Sequence, residues 1–141
     1  MSTKWKGIAI ASAAVLGLSA TFGRVEAQQT REILIQGEGK GDSNRFEPGS
    51  VAVRPGDILV FRVVSGAPHS VVFEPAGLSD ADRRALNSAL PGRSGDLASP
   101  PLAASGNRYR FTVPRLSPGH YRYFCLVHRA YDEGGEIIVT R

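Results

Sequence analysis

Turn signals rich in proline and glycine cut this chain into short pieces: EPGS (47–50), RPGD (54–57), SGAP (65–68) and SPGH (117–120). Proline cannot continue a helix, and glycine accepts the backbone angles of tight turns, so no long helix crosses these points. What lies between them reads as strand. In RYRFTV (108–113), Tyr109, Phe111 and Val113 fall on one face while Arg108, Arg110 and Thr112 fall on the other, the period of a half-buried strand. Segments 31–37, 50–56, 57–64, 69–75, 120–125 and 136–141 are apolar or alternating at similar length. Seven such strands predict an all-β fold, a Greek-key β-sandwich.

One stretch departs from the pattern. LSDADRRALNSALPG (78–92) sets Ala81, Ala85 and Ala89 four apart with Leu78, Leu86 and Leu90 beside them, and Pro91 and Gly92 end it. Ser79 is placed to cap its N-terminus, three residues before Asp82. The spacing predicts one short inserted helix, a cover for an edge or end of the sandwich, followed by a Ser/Pro/Ala-rich loop over 93–107. Further on, Pro118 and Gly119 lead into Tyr121 at the start of a strand, the pattern of a tyrosine corner. Strand parity then turns Tyr121, Tyr123 and Cys125 inward and His120, Arg122 and Phe124 outward.

The first 27 residues read as a cleaved secretory signal. Lys4 and Lys6 precede an apolar run of 16 residues (7–22), and Val25 and Ala27 offer small residues for cleavage. The run is shorter than the roughly 20 residues that span a bilayer, and no later segment spans one, so residues 28–141 are expected to form a single exported or periplasmic domain without a membrane span. Lys4, Lys6, Arg24 and Glu26 fall in the leader, which leaves 14 basic against 12 acidic residues in 28–141. That balance, with arginines scattered singly, carries no nucleic-acid signature.

Cys125 is the only cysteine, so no internal disulfide is available to an exported chain whose thiol would be open to oxidation. His128 follows it by three residues, and His69 enters a strand after a Gly-Ala-Pro turn. A thiolate with two imidazoles is the ligand set of a type 1 copper centre, one ligand from one strand and two from the end of another. His120 faces away from Cys125 by strand parity and is left out. The sequence holds no Ser/His/Asp set, no paired catalytic carboxylates and no phosphate-binding glycine loop, so an enzyme is not expected.

These features resemble the plastocyanin-like cupredoxins. FEPGSVAVRPGDILVFRVVSGAPHSVVFEP (46–75) is similar to the first half of that family and LSPGHYRYFCLVH (116–128) to the approach to its copper loop. The inserted helix resembles a bacterial branch. The resemblance implies a cupredoxin-like sandwich of about eight strands, one type 1 copper ion, and electron transfer between larger redox proteins. It assigns the first copper histidine to His69, the thiolate to Cys125 and the second histidine to His128. In the family a methionine follows eight residues after the cysteine and a glycine two further on. Here these positions hold Glu133 and Gly135, and the only methionine is Met1. Where the family usually has Asn after the first histidine, this chain has Ser70, which is expected to weaken the tie between the two ligand loops.

Glu133 in the axial position would be a hard, anionic ligand in place of a soft thioether, favouring Cu(II), lowering the reduction potential and giving a green or red site. Asp132 is out of register by one. A His₂Cys-carboxylate set also suits Zn²⁺ or Co²⁺. The expected function is that of an exported one-electron carrier and monomer, whose redox partners dock near His128 over Ala67, Pro68, Leu126 and Val127. The alternative is a protein that binds or delivers copper or another metal without shuttling electrons, and behind it a metal-free structural domain.

Overall fold

A computed structural model describes residues 27–37, 44–131 and 133–141, so the leader read over 1–27 lies, but for Ala27, outside the described residues, as does Asp132. Eight strands and one helix follow in order: β1 (Thr30–Gln36), β2 (Arg45–Glu47), β3 (Ser50–Val53), β4 (Ile58–Val63), β5 (Val72–Phe73), α1 (Asp80–Ala89), β6 (Arg108–Thr112), β7 (Gly119–Phe124) and β8 (Gly134–Val139). They form two four-stranded sheets, β2-β1-β4-β6 and β3-β8-β7-β5. The β1–β4 and β3–β8 pairs are parallel and the others antiparallel. The all-β sandwich and its single short helix match the expectation. The strand that periodicity missed is β2, because three residues are too few to show a period of two.

Alternation decides what the sheets enclose. Ile33, Ile35, Phe61, Tyr109 and Phe111 point inward from one sheet, and Val51, Phe73, Tyr121, Tyr123 and Ile137 from the other, all buried. Tyr123 sits at the centre, its ring edge-on to Phe46 at 4.9 Å, Phe61 at 5.2 Å and Phe73 at 5.8 Å between centroids. Such edge-to-face contacts add to the burial of each ring, so the sheets are pinned at this cluster. The same row ends in Cys125, which is fully buried, while His120 faces solvent and pairs with Glu136 at 3.1 Å.

The insertion does cover an edge. Leu86 of α1 and Leu90 just after it are buried with Leu97, and the loop after the helix lies along β5: Phe73 N–H donates to the Leu97 carbonyl (3.0 Å) and Ser99 N–H to that of Val71 (2.9 Å). The open side of a two-residue edge strand is thereby paired.

Asp82 joins helix to sandwich. Its N–H donates to the Ser79 hydroxyl (3.1 Å), and that hydroxyl donates back to the carboxylate (2.8 Å), which is the expected cap. The other carboxylate oxygen accepts the Ser117 N–H at 3.0 Å, and the Tyr121 hydroxyl donates to the Ser117 carbonyl at 2.7 Å, completing the tyrosine corner. Burial pushes the Asp82 carboxyl up, but the donors of Ser117 and Ser79 outweigh it and hold it below its ordinary value. A carboxylate depressed in the folded state contributes stability that is whole above its unfolded value near ~3.9 and is lost as pH falls through the lower folded value. Asp82→Ala is therefore expected to cost about 2 kcal/mol at neutral pH and to flatten the acid limb of stability below about pH 4, measured by thermal unfolding from pH 2 to 7.

Candidate metal centre

Three segments meet at the end of the sandwich where β4 finishes. His69 lies between β4 and β5, and its backbone is held from both sides by the insertion: its N–H donates to the Leu102 carbonyl (3.0 Å) and it accepts from Leu102 N–H (2.8 Å). Cys125 follows the last residue of β7. Its N–H donates to the Glu133 carbonyl (3.0 Å), which closes the loop 125–133 on itself, and His128 N–H donates to the Cys125 carbonyl at 3.2 Å. A single 3₁₀ turn, Arg129–Tyr131, fills the loop before β8 begins.

The four side chains singled out from the sequence converge. One ligand atom from each of His69, Cys125, His128 and Glu133 lies within 4.8 Å of the others. Cys125 Sγ is 3.9 Å from His69 Nδ1 and 3.4 Å from His128 Nδ1. Glu133 reaches both rings, Oε1 at 3.0 Å from His69 Nδ1 and Oε2 at 2.6 Å from His128 Nδ1. His69, Cys125 and Glu133 are buried and only the His128 side chain keeps some exposure, 15%.

The second nitrogen of His69 settles what the first can do. Nε2 lies 2.8 Å from the Ser65 carbonyl, which can only accept, so Nε2 carries the proton and Nδ1 presents a bare lone pair. That lone pair faces Glu133 Oε1 at 3.0 Å, and with Nδ1 unprotonated the oxygen has no hydrogen-bond donor. Two acceptors turned toward each other beside a thiol, out of water, repel unless a cation lies among them. The donor set, two imidazoles, a thiolate and a carboxylate, suits copper, zinc or cobalt, so the residues fit a metal ion. Without one the cluster draws in a proton. Burial pushes the His69 ring down, but Cys125, Glu133 and the Ser65 carbonyl outweigh it, and its pKa is pushed up to about 10.

Ser70 makes a tie of its own. Its hydroxyl accepts Leu126 N–H at 3.0 Å and lies 4.0 Å from Cys125 Sγ, so the tie between the two ligand loops is made by serine. Sequence reasoning missed the Ser65 carbonyl and the Leu102 backbone, since neither has a side-chain signature.

Comparison with known proteins agrees with this geometry. Residues 33–140 match the family described as copper binding proteins, plastocyanin/azurin family. The chain is 31% identical to plastocyanin of Lactuca sativa over 99 residues, covering 67% of this chain and 87% of that one. To plastocyanin of Rumex obtusifolius it is 32% identical over 98 residues, covering 67% and 86%. Among solved structures, oxidized plastocyanin from Dryopteris crassirhizoma superposes with a TM-score of 0.61 at 22% identity, over 78% of this chain and all of that one. A purple cupredoxin from Nitrosopumilus maritimus superposes at 0.52 with 18% identity, over 77% and 98%. Both likenesses show the fold.

Removing the Ser70 hydroxyl leaves Leu126 N–H unpaired and frees one ligand loop from the other. Ser70→Ala is expected to weaken metal affinity by about tenfold or more, read by competition against a chelator of known affinity, and an unchanged affinity would dismiss the tie.

Proposed function

The chain belongs to the plastocyanin/azurin family of copper-binding proteins, and from that premise we propose that it is an exported one-electron carrier whose single copper ion is held by His69, Cys125, His128 and Glu133. The observation that carries the ligand assignment is the pair of inward-turned acceptors, His69 Nδ1 and Glu133 Oε1, 3.0 Å apart in a buried cluster with Cys125 Sγ. Bound there, copper supplies a one-electron redox couple. The protein supplies the rest: the Ser65 carbonyl fixes which nitrogen of His69 is free, the Ser70 hydroxyl joins the two ligand loops, and the sandwich excludes water from the thiolate.

His128 is the port. It keeps some exposure, and Leu126 and Val127 just before it and Ala67 and Pro68 just before His69 are exposed, Leu126 at 62% and Val127 at 57%. An apolar rim around a half-buried ligand suits brief docking by a larger redox protein. Export rests on the basic and apolar leader over 1–27, and among the described residues no helix is long and apolar enough to cross a membrane.

The buried carboxylate favours a second reading, in which the protein binds or delivers the metal without shuttling electrons. A hard anionic ligand favours Cu(II), and a low potential suits fewer electron donors. The two readings part on the electron self-exchange rate of the copper-loaded chain, which is fast for a carrier and slow for a metal-delivery protein.

The direct test adds Cu(II) to the chain and to Glu133→Met and records the visible spectrum and the reduction potential of each. A thiolate-to-copper band is expected in both, displaced in the variant, with the higher potential in Glu133→Met. Absence of a band from both would sink the copper reading, and identical bands and potentials would remove Glu133 from the metal.

A further inference from the structure

The loop that carries Cys125, His128 and Glu133 is closed internally by the bond from Cys125 N–H to the Glu133 carbonyl. A second fastening lies outside it. The guanidinium carbon of Arg129 sits 4.0 Å from the centroid of the Phe124 ring, and its Nη2 donates to Glu74 Oε2 at 3.0 Å. Phe124 is the residue before Cys125, Arg129 is the residue after His128, and Glu74 comes from the segment after β5, joined to β7 by its own N–H to the Arg122 carbonyl (2.9 Å). One side chain therefore grips the chain just before one ligand, just after another, and on the neighbouring strand. The same Glu74, Phe124 and Arg129 line a surface pocket of about 220 Å³ that also touches Glu133 and Gly134.

We propose that Arg129 is a positioning residue for the metal loop: its flat cation, stacked on Phe124 and paired to Glu74, holds the turn between His128 and Glu133 against the sheet and keeps the ligands in place before a metal arrives. This rests on reading His128 and Glu133 as ligands. The flat face is what the site uses, because a guanidinium can stack on a ring and bond a carboxylate edge-on at once, and an ammonium cannot. Both contacts are partly exposed, 57% for the Arg129 side chain, so the effect on loop opening is modest, about fivefold.

The test is amide hydrogen exchange of the metal-free chain, comparing Cys125 and His128 with the amides of β4. Arg129→Ala is expected to speed exchange at Cys125 and His128 about fivefold and leave β4 unchanged, Phe124→Leu to do the same, and Arg129→Lys to restore less than half of the protection. In the copper-loaded chain Arg129→Ala is expected to broaden the thiolate-to-copper band. Unchanged exchange at Cys125, acceleration shared by β4, or full protection by lysine would each overturn the proposal. A wild-type chain that takes up no copper would defeat the functional reading while leaving the amide result to decide the role of Arg129.

Discussion

Everything at the metal end follows from one hydrogen bond, the donation of His69 Nε2–H to the Ser65 carbonyl. It commits the proton to Nε2 and so turns the Nδ1 lone pair toward Glu133 and Cys125. An imidazole ordinarily chooses its tautomer according to its surroundings, and here the choice is removed by a backbone oxygen four residues earlier in the chain. The carboxylate and the thiol then meet an acceptor, and the pocket they line is short of positive charge. That shortage makes the cluster a receptor for a cation.

The rest of the fold keeps those acceptors from escaping each other. Left to themselves, a buried glutamate and two imidazoles would rotate toward water or toward separate donors. They are prevented at several levels: the aromatic cluster around Tyr123 fixes the strand that ends in Cys125, the Leu102 backbone fixes His69, and the Ser70 hydroxyl joins the two loops. Gly135 belongs to the same scheme, since a Cβ there would lie 2.6 Å from the Tyr123 hydroxyl oxygen. The glycine two residues after Glu133 is thus the space into which the central tyrosine fits, which joins the loop to the core of the sandwich.

The strands and the ligand side chains were legible because both have strong local signatures. Arg108 to Val113 shows its period of two over six residues, and Cys125 three residues from His128, with His69 after its turn in a chain read as exported, together suggest a metal. The helix was legible from its alanine spacing and the cap at Ser79, with boundaries drawn two or three residues too wide on each side because Leu78 and Leu90 continue its apolar spacing past the caps, Leu90 leaving the helical backbone angles at the C-cap. β2 was not legible, since three residues cannot establish a period. The Ser70 tie was not legible, because the place of its oxygen beside Leu126 N–H depends on how closely the two loops approach, which only the folded chain sets.

The backbone pairing of His69 with Leu102 changes how the inserted helix and its loop should be regarded. An insertion is usually a passenger, lengthened or trimmed at little cost to the parts it interrupts. This one is a splint. Cut it back, and the edge of β5 loses its partner at the same moment that the first histidine loses both of its backbone bonds, so a shortened chain would become stickier and less able to grip its metal through a single loss. Grafting the loop from Cys125 to Glu133 onto another sandwich would, for the same reason, transplant three of the four converging side chains and leave behind the scaffold that aims His69.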